Sequence, residues 1–210
     1  MPRPQADLRD LEPWTASSGR TAAAPPGDDD NPIEMDAELN PMPEAARLLG
    51  IDYVAGPLEK AGGSITGGAA MSWTAGLAGS VDGVPVRVGV SGGRRSVVLI
   101  YGAVFPHLGM ALDIRRRTVL TAHVWPPGRA TIAVRGRLVA KARPGNADGE
   151  ALVLAALESI VGLTGRLPNL VVSDSTIDGS ERRSLFDMPE PGDVAAVVRH
   201  CVDVARALST

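Results

Sequence analysis

Between residues 71 and 143 apolar and polar positions alternate through a series of short runs separated by glycine- and proline-containing turns. Val84, Val86, Val88 and Val90 recur at the two-residue period of a half-buried strand, with Pro85, Arg87 and Gly89 between them. Met71, Trp73, Ala75 and Leu77 alternate before them, and Asp82-Gly83 stands between the two runs. Both residues of a tight hairpin turn need positive φ, which glycine adopts freely and aspartate tolerates, so two antiparallel strands are predicted here. Pro85 has no backbone donor and is expected at a sheet edge or on an unbonded side of its strand. Ser91-Gly92-Gly93-Arg94 reads as a second turn, and Val97-Val98-Leu99-Ile100-Tyr101, apolar throughout, as a strand covered on both faces. Met110, Leu112 and Ile114 alternate again, as do Leu120, Ala122 and Val124 before Pro126-Pro127-Gly128 ends the run.

Beyond this sheet the period changes. Residues 148 to 161 are nearly all apolar and rich in Ala and Leu, with Asn146 or Asp148 to cap the start and Gly162 or Gly165 to stop it, which predicts a buried helix. Leu170-Val171-Val172 predicts one more strand, followed by a turn at Asp178-Gly179. Val194, Val197, Val198, Cys201, Ala205 and Leu208 repeat at three and four residues behind Pro191 and Asp193, the pattern of an amphipathic helix. Pro43 to Leu49 has room for one or two helical turns closed by Gly50. The predicted fold is α+β: an antiparallel sheet of about six or seven strands packed against two helices, forming a single domain over residues 46–210.

Residues 1–45 read as a disordered arm, rich in proline, alanine and acidic residues, with too little apolar content to repay the entropy of ordering. The first 50 residues hold ten Asp or Glu against four Lys or Arg, and the remaining 160 hold 14 against 17. The single cysteine and the lack of a secretory leader point to a reducing cytoplasm, and no run of 18 apolar residues predicts a membrane span. High Ala, Arg, Gly and Pro content suggests a bacterial coding sequence.

Motifs for chemistry are sparse. The glycines match neither the dinucleotide nor the P-loop spacing, so no cofactor is expected. His107, His123 and His200 are too far apart in the chain for a zinc pattern, and Asp174, Asp178 and Asp187 lack the alternating ligand spacing of a calcium loop, so no metal is expected. No catalytic residue is assigned. Aromatics make up only 3% of the chain, which leaves little for base stacking, and the net charge is −3, so nucleic acid is not the expected partner.

One feature stands out. From Arg115 to Arg143 there are eight Lys or Arg residues and no Asp or Glu. Arg135, Arg137, Lys141 and Arg143 are all odd-numbered, so a single strand would set them in one row on one face. The leading expectation is a non-enzymatic binding or adaptor domain that engages a protein partner through these four residues. The alternatives are an enzyme acting on a small anionic substrate, with Arg94 and Arg95 holding the anion and His107 or His123 as acid or base, and an oligomer-forming structural protein.

Overall fold

A computed structural model of the 210-residue chain describes residues 40–55, 75–93, 96–117, 128–184 and 187–210. Three helices and nine strands occur among them, in the order α1 (Met42–Leu49), β1 (Asp52–Ala55), β2 (Ala75–Val81), β3 (Val84–Gly93), β4 (Ser96–Val104), β5 (Asp113–Arg116), β6 (Ala130–Arg135), β7 (Leu138–Ala142), α2 (Ala147–Thr164), β8 (Val171–Ser173), β9 (Thr176–Ser184) and α3 (Pro191–Ala207). All nine strands join one antiparallel sheet in the order β1-β2-β3-β4-β9-β8-β5-β7-β6. The α+β class and the antiparallel sheet are as the alternation predicts, with more strands and one more helix. The arm expected over residues 1–45 lies outside the described residues as far as residue 39, and α1 begins at Met42.

The register explains which strands were legible. Asp82 (φ 50°) and Gly83 (φ 80°) close the β2–β3 hairpin with Val81 opposite Val84, as predicted. Pro85 does not sit on an edge strand, because β3 runs between β2 and β4. The last β3–β4 pair is Val86 with Ala103, so the side of Pro85 facing β4 lies just past the ladder and needs no donor. Gly92 and Gly93 belong to β3 rather than to a turn, and Gly93 pairs with Ser96 across Arg94 and Arg95, which lie outside the described residues. Leu120 to Val124 also lie outside them.

The predicted turn at Asp178-Gly179 is instead the middle of β9, and the chain reverses at Asp174-Ser175. Both residues are there for their neighbours. Arg87, Gly102 and Asp178 stand in one cross-strand row, where the Arg87 side chain passes over the bare Gly102 to place Nη2 2.8 Å from Asp178 Oδ1. In the adjacent row, on the opposite face, Val88, Tyr101 and Gly179 line up, and Leu167 fills the space above Gly179.

That second face carries the helices. Val86, Val88, Val90, Leu99, Tyr101, Ala103 and Ile177 point into a core closed by α3, which contacts β3, β4 and β9 and also both other helices. Val194, Val197, Val198, Cys201, Ala205 and Leu208 are all buried, as the three-and-four spacing predicts. The strand predicted to be covered on both faces is covered on one: Val97, Leu99 and Tyr101 are buried, whereas Val98 and Ile100 are half-exposed. The Asn146 side chain caps α2 by accepting from Gly149 N at 3.0 Å, and Gly165 ends it.

Candidate anion-binding cleft

Arg135, Arg137, Lys141 and Arg143 do not form one row. A strand would have to continue through Gly136, and it does not: Gly136 takes φ 59° and, with Arg137, turns the chain from β6 into β7, pairing Arg135 with Leu138. The hairpin nevertheless gathers other charges. Leu138 is buried on the helix side, and its register partners are Arg135 on β6 and Arg116 on β5, so Arg116, Leu138 and Arg135 share one row on that face. The two arginine backbones stand two strand spacings apart, about 10 Å. Arg137 joins them from the turn, where its carbonyl accepts from Arg117 N.

The C-terminal end of α2 closes the other side. Val161, Thr164 and Gly165, with Pro168 just beyond, face Arg116, Arg135, Gly136, Arg137 and Leu138 across a cleft of about 460 Å³. Leu138, Val161 and Pro168 give it apolar walls, and the three arginines give it charge. Arg135 pairs with Glu158 of α2 at 3.0 Å. Both side chains are more than half exposed, and an ion pair of that kind is worth little, so Arg135 can trade Glu158 for a better anion at small cost. The carbonyl end of α2 carries partial negative charge, which favours the guanidinium groups beside it.

The remaining basic residues lie elsewhere. Lys141 is on the opposite sheet face, in register with Asp113 and Thr131. There the buried Asp113 carboxylate is gripped by Arg115, bidentately, and by Arg129 at 2.9 Å. Arg143 follows the far end of β7, where its backbone N donates to Met110 O. Arg116 was missed in the sequence, although the signal existed: it continues the even-numbered series of Met110, Leu112 and Ile114, and therefore shares their face.

Neither described histidine lies in the cleft. His107 Nδ1 accepts from Gly109 N at 3.0 Å, so the proton sits on Nε2, which reaches Asp174 Oδ2 at 2.9 Å. Asp174 Oδ1 accepts from both Met110 N and Leu112 N, and the carboxylate thus ties down the whole loop leading into β5. Asp174→Ala is expected to lower stability by about 1–3 kcal/mol, by stranding those two backbone donors. Asp174→Asn, which keeps Oδ1, restores most of that loss in thermal denaturation. His200 Nε2 lies 2.9 Å from Ser159 O and 3.3 Å from Ser159 Oγ. Donating to the carbonyl leaves it no lone pair there to activate the hydroxyl, so this pair joins α3 to α2 rather than forming a nucleophile and base. His123 lies outside the described residues.

Cys201 is buried on the inner face of α3, and burial pushes its thiol up to about 12. It is expected to react with a thiol reagent at pH 8 only as fast as the protein opens, so its labelling rate will rise with added denaturant in step with unfolding. Among the described residues no three His, Cys, Asp or Glu side chains converge as a metal set, and no helix is long and apolar enough to cross a membrane.

No protein-family profile matches the chain, and no curated protein does. Among solved structures it is similar to the mycobacterial trehalose monomycolate transport factor A, TtfA, at 12% identity and a TM-score of 0.48, over 78% of this chain and 92% of that one.

Proposed function

We propose that this chain is a non-enzymatic binding domain that engages an acidic segment of a protein partner at the end of the sheet where β5, the β6–β7 turn and α2 meet. The observation that supports this is the convergence of Arg116, Arg135 and Arg137 on one apolar-walled cleft. These arginines come from two separate places in the chain, Arg116 from β5 and Arg135 and Arg137 from the β6–β7 turn, and the fold brings them to one opening. Arginine presents a planar fork of donors that matches a carboxylate, and Leu138, Val161 and Pro168 offer an apolar surface to the methylene groups of a glutamate or to a neighbouring apolar residue. Among the described residues the cleft lining holds no His, Cys, Asp or Glu, and the Thr164 hydroxyl donates to Val161 O, which favours binding over catalysis.

The test uses a fluorescent peptide of alternating glutamate and leucine, titrated with the intact protein. Binding is expected at low ionic strength and is expected to weaken as salt rises, because the guanidinium groups at the cleft mouth are within reach of screening ions. Arg135→Ser with Arg137→Ser is expected to weaken it at least tenfold, and Lys141→Ser with Arg143→Ser by less than threefold, since the latter two lie on another face and at another end. Equal losses in the two double variants would mean that general positive charge, not the cleft, attracts the peptide.

A further inference from the structure

The outermost strand at this end of the sheet has its own surface. β6 is the terminal strand, and among the described residues no strand pairs with its outer edge. An open edge presents a row of backbone donors and acceptors that another strand can complete. Of the devices that usually blunt such an edge one is present, a register shift in β6 between Thr131 and Ala133, and the others are weak. There is no proline in Ala130–Arg135, the one charge is Arg135 at its end, and Val134 is 62% exposed.

Beside this edge runs a helix face that is equally uncovered. α2 buries Val153, Ala156, Ile160 and Leu163, yet its other side is not polar: Ala151, Leu154, Ala155 and Gly162 are exposed there with Glu158 as the charge among them, and Leu154 is 52% exposed. A surface helix ordinarily turns a polar face to water, and a helix apolar all round is ordinarily covered. The Arg135–Glu158 ion pair joins the two features into one continuous strip.

We infer that a second copy of this chain covers the strip, in a two-fold dimer that pairs β6 with its own symmetry mate and sets α2 against α2. Three observations favour this occupant. A two-fold axis perpendicular to the sheet sets a strand edge antiparallel to itself and keeps both copies of α2 on one face, and antiparallel is the pairing every neighbour in this sheet already uses. A lone extended peptide would complete the edge and leave the apolar helix face wet, whereas a second copy supplies strand and helix together. The strip is also self-complementary in charge: the first turn of α2 carries Asp148 and Glu150, its last turn lies beside Arg135 and Arg137, and the axis sets one end against the other. The area suffices. α2 is about 27 Å long, and the helix together with the strand edge is about 20 Å wide, giving about 500 Å² per copy and about 1,000 Å² in all, the lower limit for a specific interface. The dimer is therefore expected to dissociate in the micromolar range.

Sedimentation velocity of the full chain from about 1 to about 200 μM reads this directly, since a weak dimer follows mass action. The expected result is a monomer–dimer equilibrium that Leu154→Glu and Val134→Lys each shift at least tenfold towards monomer. Both sites are exposed, so at concentrations where the parent is monomeric both variants should keep its melting temperature. Hydrogen exchange is expected to show β6 amides becoming more protected with concentration. A chain that stays monomeric at the top concentration overturns the inference, as does a dimer indifferent to both variants or β6 protection that does not change with concentration. Since the dimer sets Asp148 and Glu150 of one copy near Arg135 and Arg137 of the other, peptide binding in the cleft should be kept or tightened by Leu154→Glu, which separates this dimer from the binding role.

Discussion

Gly179→Val is expected to lower the melting temperature by about 5–10 °C. A Cβ at this position would lie 2.6 Å from Leu167 Cδ1 and 3.1 Å from Leu167 Cβ. The second distance matters more, because Cβ cannot swing away as a side-chain tip can. Leu167 is fully buried, and its backbone N is bonded to Leu163 O at 2.9 Å, so the segment after α2 would have to move with it. Overpacking of this kind costs about 1–3 kcal/mol for a methyl group, and valine adds two more carbons. Leu167→Ala alone costs about 2–5 kcal/mol by opening a cavity. In the double variant Gly179→Ala, Leu167→Ala the new methyl enters that cavity, and the combined loss should fall short of the sum by more than 0.5 kcal/mol. Strict additivity in denaturant unfolding would show that the two residues do not compete for one space.

The second large effect concerns Tyr101 and becomes visible at high pH. Its hydroxyl donates to Glu181 Oε1 at 2.9 Å in the core beneath α3, and Arg183 Nε donates to Glu181 Oε2 at 2.9 Å. Burial first, and the Glu181 carboxylate second, push the Tyr101 phenol well above its ordinary value, and burial does the same to the neighbouring Cys201 thiol. In the unfolded chain both groups lose their protons near pH 9–10, while in the folded protein they keep them. Between those values the folded state binds more protons, so stability falls as pH rises, by up to about 1.4 kcal/mol per pH unit for each group. Their contribution is intact below about pH 8. Tyr101→Phe strands one Glu181 oxygen and should cost about 1–3 kcal/mol at pH 7. It also removes one alkaline titration, so the stability curves of parent and variant should draw together between pH 9 and 11. Parallel curves over that range would show that Tyr101 ionises alike in both states.

What the sequence disclosed, and what it withheld, follows from where each signal lives. The β2–β3 hairpin was legible because Asp82-Gly83 supplies both positive φ angles locally, and α3 because its whole buried stripe is apolar at helical spacing. β9 was hidden because Asp178, Glu181 and Arg183 satisfy partners on other strands and on its own, so their polarity reads as a loop until Arg87 and Tyr101 are set opposite. The β6–β7 turn was only weakly marked, because Gly136 supplies its positive φ without the Asn-Gly or Asp-Gly pair that announces a hairpin. The cleft was half legible. Charge density pointed to the right stretch, but which arginines converge depends on strand order, which sets Arg116 beside Leu138 from more than twenty residues away.

That strand order also has a consequence for how the protein is made. β1 to β4 follow one another across the sheet, but the neighbour of β4 on its other side is β9, which pairs Ser184 with Ser96 and Thr176 with Val104. At a synthesis rate of about 5–20 residues per second, β4 leaves the ribosome roughly 4 to 16 seconds before its partner exists. Throughout that interval the nascent meander shows an open edge nine residues long, rich in valine, leucine and isoleucine, and liable to pair with other chains. The strand that seals this seam is among the last to be translated, so a chain truncated before β9 is expected to aggregate rather than persist as a smaller folded unit.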